Sequence, residues 1–372
     1  MEMKVPSFSL TKQNEMLYDE IMEALGGLIK SGQFIMGPDL VKLEEEIGSR
    51  CKSKYAYGVS SGTDALQLAL LAAGIGPGDE VITTPFTFVA TATSILHVGA
   101  RPVFCDIDPK TFNIDADQIE GLITDRTKAI IPVHLYGQMA DMDKIMNVAR
   151  KHNLVVIEDA AQALGATYRG EPACSFGDLA CLSFYPTKNL GAFGEAGMVL
   201  TSNEKYAQSV KLLRVHGASN RYFHDMLGYN SRMDTMQAAI LNVKLKYFDS
   251  WTEKRRQIAK LYDTLLGDLP EVTIPYKDEN AGHIYHQYTI RVKKRDVVYR
   301  ELSLMGISTM IYYPLPLHLQ PIMQHLGYKK GDFPETEKAA NEVLSLPMFP
   351  ELTEEQVKLV ADELKKVLAG LR

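Results

Sequence analysis

The stretch Leu154-Val-Val-Ile-Glu-Asp159-Ala-Ala-Gln162 decides the fold: a short apolar run stops at an acid and gives way to small residues. Without polar alternation, such a run reads as a strand covered on both faces, as strands of a parallel sheet are. It predicts a strand over Val155–Glu158. Similar runs recur around it, at Tyr55–Val59, Glu80–Thr84, Pro102–Asp106, Ala129–Leu135, Ala180–Phe184 and Met198–Thr201. Between them lie helical patterns over Thr63–Ala73, Phe88–Val98 and Met142–His152, and Gly76-Pro-Gly78 marks a turn. Strands alternating with helices predict an α/β fold whose large domain holds one seven-stranded, mostly parallel sheet.

After Asp234 the pattern changes. A stretch running to about Leu266 contains neither Pro nor Gly and has Met236, Ile240, Val243 and Tyr247 at helical spacing, which predicts one long connecting helix. Past Pro270, a strand over Gln287–Val292, a helix over Asp296–Met305, a strand over Ser308–Tyr312 and later helices predict a smaller α+β domain. Thr353 and Gln356 fit a capping box for the last helix. The expected division is a large domain over 1–245, with an N-terminal helical segment, and a small C-terminal domain over 246–372.

A chain of 372 residues, 46% hydrophobic and 23% charged, matches an ordinary globular protein of about two domains. Its formal charge of -6 lacks the basic excess of a nucleic-acid surface, so no nucleic-acid partner is expected. Cys51, Cys105, Cys174 and Cys181 are widely spaced with no C-x-x-C pair, so the expectation is buried reduced thiols with neither disulfides nor a metal site. The first ten residues lack the apolar core of a signal peptide, and no apolar run reaches the ~18 residues of a membrane helix. A cytoplasmic protein without membrane association is expected.

Lys188 lies in Ser183-Phe-Tyr-Pro-Thr-Lys-Asn-Leu-Gly191, 29 residues after Asp159. A lysine among a hydroxyl, a proline and a glycine, downstream of a strand-end carboxylate, is what Schiff-base chemistry requires. The amine condenses with the aldehyde of pyridoxal phosphate, and the carboxylate keeps the ring nitrogen protonated so that the ring accepts electrons. Taken singly, each residue has an ordinary role, since most lysines are solvated surface charges and a lone acid ending a strand is more often structural. Ser60-Ser-Gly-Thr63 follows a strand and opens a helix, where free amides and a hydroxyl grip a phosphate or a Ser or Thr simply caps the helix. Ser183 has the same two readings. Phe88 is a candidate to stack on a flat cofactor or an ordinary core aromatic. Asp159 and Gln162, three residues apart, can face one ligand. Gly191-Ala-Phe-Gly-Glu-Ala-Gly197 does not match G-x-G-x-x-G, which counts against a nicotinamide oxidoreductase.

Five blocks in order resemble the DegT/DnrJ/EryC1/StrS sugar aminotransferases, which use pyridoxal phosphate on the fold-type I aminotransferase scaffold: Gly58–Leu66, Pro77–Ile82, Glu158–Gln162, Ser183–Gly197 and Tyr229–Asp234. The resemblance implies that Lys188 carries the cofactor, that Asp159 pairs with its ring nitrogen, and that Gln162 lies beside the ring. It implies further that Gly62, Thr63 and Ser183 hold the phosphate and that Phe88 stacks on the ring. In that family the block matching Tyr229–Asp234 comes from the neighbouring subunit, implying a homodimer with shared sites in which Asn230 reaches the phosphate and Arg232 the substrate. Ala196 departs from the glycine that many members carry, which matters only if its backbone needs positive φ.

The implied activity is ping-pong transfer of an amino group, usually from L-glutamate, to the keto group of a nucleotide-linked sugar, with pyridoxamine phosphate as the intermediate cofactor form. Such amino sugars serve surface polysaccharides or secondary metabolites. His283–Tyr288 and Ile311–Gln320 look like the segments of members acting at C3, with Tyr313 and His318 as candidate sugar contacts. The alternatives are a 4-keto-sugar aminotransferase of the same family and a non-catalytic, cofactor-binding regulatory protein. A dehydratase of this scaffold carries histidine in place of the lysine, and Lys188 argues against it.

Overall fold

The computed structural model describes residues 3–371. Its main sheet contains β1 (Tyr55–Val59), β2 (Glu80–Thr83), β3 (Arg101–Phe104), β4 (Thr127–Ile130), β5 (Val155–Asp159), β6 (Leu179–Ser183) and β7 (Gly197–Thr201). The strand order is β1-β7-β6-β5-β4-β2-β3. Only β7 runs against its neighbours, and the remaining pairs are parallel. Side chains of β5 alternate between two apolar layers. Val156 packs with Ala180, Leu182 and Leu200 on one face, and Ile157 with Leu179, Cys181 and Val199 on the other. Covering both faces is why the run carries no polar alternation. Burying each such side chain contributes about 1.5 to 3 kcal/mol. The strand predicted over Ala129–Leu135 has a regular ladder only over Thr127–Ile130; Pro132 has no N–H to donate and interrupts it, and pairing resumes as a single parallel bridge of Val133 to Asp159, in which Pro132 O accepts from the Asp159 amide at 2.9 Å.

Helix α1 (Thr11–Ser31) precedes α2 (Pro38–Arg50), and α3 (Gly62–Ala72), α4 (Val89–His97), α5 (Met142–His152) and α6 (Glu204–Leu213) cover the sheet. The predicted connecting helix is two helices, α7 (Thr235–Leu245) and α8 (Phe248–Leu266). Neither Pro nor Gly breaks it. Tyr247 donates its hydroxyl to Glu20 of α1 and stacks on Trp251, while Phe248 is buried in the main core. These anchors override local helix propensity.

The C-terminal unit holds a small antiparallel sheet of β8 (Val272–Thr273), β9 (Tyr288–Val292) and β10 (Val343–Leu346), in that order. Helices α9 (Arg295–Leu304), α10 (Pro334–Glu342) and α11 (Glu354–Gly370) accompany it, and Thr353 and Gln356 form the expected capping box. The strand expected at Ser308–Tyr312 reduces to one bridge, Met310 to Ser345. The following residues, Ile311 to Tyr313, turn into a cavity instead. The boundary expected at 245/246 is crossed by the start of the chain, since Val5 bridges to Ile307 and is buried in the C-terminal core. All four cysteines are buried and unpaired, and no described helix is long and apolar enough to cross a membrane.

Candidate active site

The carboxyl ends of β1, β2, β5 and β6 open onto one cavity of about 730 Å³, where ligands bind in open α/β sheets. Residue alternation places neighbouring acids of β5 on opposite faces. Glu158 is fully buried, 2.9 Å from His134 Nε2, and also accepts from the amides of Cys174, Phe176 and Gly177. Burial pushes its carboxyl up, but these bonds outweigh burial and hold it below the usual range. Asp159 instead faces the cavity. It accepts from Thr91 Oγ1 at 2.8 Å and from the Ala161 amide at 3.2 Å. Burial raises its pKa despite both bonds and the charge of Lys188, so this carboxylate is short of a cationic partner.

Lys188 sits on the turn after β6, held by its amide donating to Tyr185 O at 2.8 Å. The turn depends on Gly191, where a Cβ would lie 2.3 Å from Pro186 O. Burial lowers the Lys188 amine to about 8, with Asp159 opposing the shift. An amine so placed is neutral in a substantial fraction of molecules near neutral pH, as a nucleophile or base requires.

At the same cavity, Ser61 caps α3 through the Asp64 amide at 3.1 Å. The ordinary capping role therefore belongs to Ser61, while Gly62 and Thr63 line the cavity with the first helical N–H groups, which have no partner within the helix. A Cβ on Gly62 would lie 2.7 Å from Ser183 Cβ, so glycine permits the loop and Ser183 to converge. Phe88, 56% exposed, leaves its ring free at the cavity. Gln162 Oε1 accepts from the Tyr136 amide at 2.8 Å and its Nε2 donates to Tyr313 Oη at 3.2 Å. A helix N-terminus for a phosphate, an open aromatic face, an acid lacking a cation and an amine of lowered pKa together fit pyridoxal phosphate. Ala196 lies outside the left-handed region, so its methyl is accommodated.

Lys188, Asp159, Gly62, Thr63, Phe88, Gln162, Ser183 and Tyr313 thus share one cavity. His318 does not join them. It is 1% exposed, 3.1 Å from Glu337 Oε1 and packed on Phe333. Asn230 and Arg232 also lie outside the lining. Ser231 between them turns inward to Ser60 at 3.0 Å, and Arg232 Nη2 donates to Asn230 Oδ1 at 2.5 Å. Sequence reasoning missed Thr91, Tyr185, Glu195 and His286, all cavity residues. Thr91 stands one helical turn beyond Thr87, Tyr185 and Glu195 fall within the Ser183–Gly197 block, and His286 falls within the His283–Tyr288 segment, but no local feature singled them out.

The family model for DegT/DnrJ/EryC1/StrS aminotransferases matches residues 15–365. The chain is 54% identical to a "Pleiotropic regulatory protein" of Geobacillus stearothermophilus over 97% of this chain and 98% of that one. It is 45% identical to the UDP-N-acetyl-3-dehydro-alpha-D-glucosamine 3-aminotransferase of Acidithiobacillus ferrooxidans, over 98% of each. The crystal structure of S. venezuelae DesV in complex with a ketimine intermediate superposes with a TM-score of 0.96, at 39% identity and 98% coverage of both chains.

Proposed function

The chain belongs to the DegT/DnrJ/EryC1/StrS aminotransferase family, and from that premise we infer that it transfers an amino group from an amino acid, L-glutamate, to C3 of a nucleotide-linked keto sugar. It is a sugar aminotransferase of amino-sugar biosynthesis, and pyridoxal phosphate is its cofactor. The observation carrying this reading is that Lys188 and Asp159, 29 residues apart in sequence, face one cavity that a helix N-terminus also lines. A non-catalytic regulatory role needs neither the lysine of lowered pKa nor a substrate-sized cavity.

Bound in the cavity, pyridoxal phosphate supplies a ring that accepts the electrons of a carbanion. Lys188 holds the cofactor, and its amine moves the proton at the donor's Cα and later at the sugar carbon. Asp159 accepts a hydrogen bond from the protonated ring nitrogen and balances its charge. Gly62, Thr63 and Ser183 hold the phosphate, Phe88 covers the ring, and Gln162, secured at both ends, offers the ring a fixed edge. Tyr313 contacts the sugar. Donor and acceptor would use the site in turn, so parallel double-reciprocal lines are expected. The 3-aminotransferase relative supports C3 over C4. In the test, L-glutamate added to the cofactor-loaded protein bleaches its visible band, and nucleotide-linked 3-keto sugars restore it faster than 4-keto ones. A band indifferent to every amino acid would sink the transaminase reading, and faster recovery with 4-keto sugars would move the position.

The working unit is a homodimer with shared sites. Asn230 and Arg232 do not face their own chain's cavity, and Tyr222, Phe223 and Leu227 beside them are 80%, 68% and 87% exposed, a patch suited to a second copy. Lys188→Ala and the Asn230→Ala, Arg232→Ala double variant should each be inactive. After subunit exchange, each heterodimer carries one intact site, and activity should return to about a quarter of wild type. No recovery despite exchange seen by mass spectrometry would return both residues to their own chain's site.

A further inference from the structure

We propose that His286 is a positioning residue for Lys188: its Nδ1–H donates to Asn189 Oδ1, fixing the residue after the lysine, and its Nε2 remains an uncharged acceptor at the cavity wall. The proposal rests on the reading of Lys188 as the cofactor-carrying residue.

The tautomer follows from the contacts. Asn189 Nδ2 donates to Ile284 O at 3.5 Å, so the oxygen of that amide is what His286 Nδ1 meets at 3.0 Å. An oxygen only accepts, so Nδ1 carries the hydrogen. His286 is 6% exposed and shares the cavity with Lys188. Its backbone is held as well. The buried Arg255 donates to the carbonyls of Tyr285, His286 and Met348 at 3.1, 3.4 and 3.2 Å. The Ile284 amide donates to Gly137 O at 3.0 Å, next to Tyr136, whose amide donates to Gln162. A continuous set of bonds therefore runs from Gln162 to Asn189, and His286 is its last link before the lysine.

A second proton on this ring would place a cation beside Lys188 and Arg255. Burial, then those two charges, push the imidazole well below its usual range. Asp159, Tyr185, Glu195, Tyr312 and Tyr313 are the other titratable groups lining the cavity, and none is hydrogen-bonded to the ring, whose partner is Asn189. His286 therefore stays neutral while the lysine exchanges its proton, so the Asn189 bond persists through turnover.

The test follows capture of pyridoxal phosphate by the apoprotein, read as the rise of the visible band. His286→Leu and Asn189→Ala should each slow capture about tenfold, the scale of one buried hydrogen bond. Both variants remove the same bond, so the double variant should be no slower than the worse single one. His286→Gln, which keeps an uncharged donor for Asn189, should return to within about threefold of wild type. Wild-type capture by a folded His286→Leu, multiplied losses in the double variant, or a glutamine variant as slow as leucine would each overturn the proposal. If His286→Leu does not fold, Asn189→Ala and His286→Gln decide the matter, with wild-type capture by the first or slow capture by the second overturning it. Lys188→Ala is the control: capture surviving there would remove the reading of the lysine itself, whereas its loss there with no effect at His286 overturns only the positioning role.

Discussion

Lys188→Ala is expected to eliminate the visible band of the cofactor-loaded protein and transamination with it. Losing the base alone removes roughly 10²- to 10⁴-fold, and losing the group that carries the cofactor adds to this. The apoprotein should fold as well as wild type or better at neutral pH, and the sign can be worked out. Burial lowers the folded-state amine to about 8 from its ordinary value of 10.5. Below about 8 the folded chain must keep a buried ammonium, so the full penalty is present. Between about 8 and 10.5 the unfolded chain binds more protons and the wild type gains stability with pH. Any advantage of the alanine variant in thermal unfolding should therefore be largest below about pH 8 and fade as the pH rises to 10.5. An unchanged band in the variant would show that another amine holds the cofactor. A variant destabilised at pH 7 would mean that Lys188 contributes packing beyond its charge.

Asp159→Asn should slow turnover even at saturating cofactor. Removing one partner of a buried charge pair typically costs about 3 to 5 kcal/mol, roughly 10²- to 5 × 10³-fold if expressed in the chemical step. The defect should appear mainly in kcat, because the phosphate contacts proposed for Gly62, Thr63 and Ser183 are untouched. Asparagine can still accept from Thr91, so the apoprotein should remain folded. Near-normal kcat would show that another group holds the ring nitrogen. Loss confined to cofactor affinity, repaired by excess cofactor, would make Asp159 a binding group only.

Much of the site was legible in the primary structure because its parts lie at junctions with strong local signals. Asp159 ends an apolar run that is β5, and Ser60–Thr63 join β1 to α3. Tertiary structure separated roles that local reasoning left open, assigning capping to Ser61 and leaving Gly62 and Thr63 to the cavity. His318 was misplaced because a histidine in a Tyr-, Pro- and Leu-rich segment carries no mark of the partner that buries it, here Glu337 from α10. His286 lay within the His283–Tyr288 segment but was not singled out there. Its meaning comes from Asn189, 97 residues away in sequence.

Consecutive residues were enough for the seven strands of the main sheet, the α/β class and the choice of Lys188 and Asp159, which line one cavity, because buried parallel strands and turn glycines write their constraints into the local sequence. Only the tertiary structure decided the break of the long helix at Lys246-Tyr247, the placement of the chain's start in the C-terminal core, and the opposed fates of Glu158 and Asp159. Each depends on long-range partners: Glu20 for Tyr247, Ile307 for Val5, and His134 against Thr91 for the two acids. Side-chain hydrogen bonds and burial across such separations outweigh local propensity, and no window of neighbouring residues contains them.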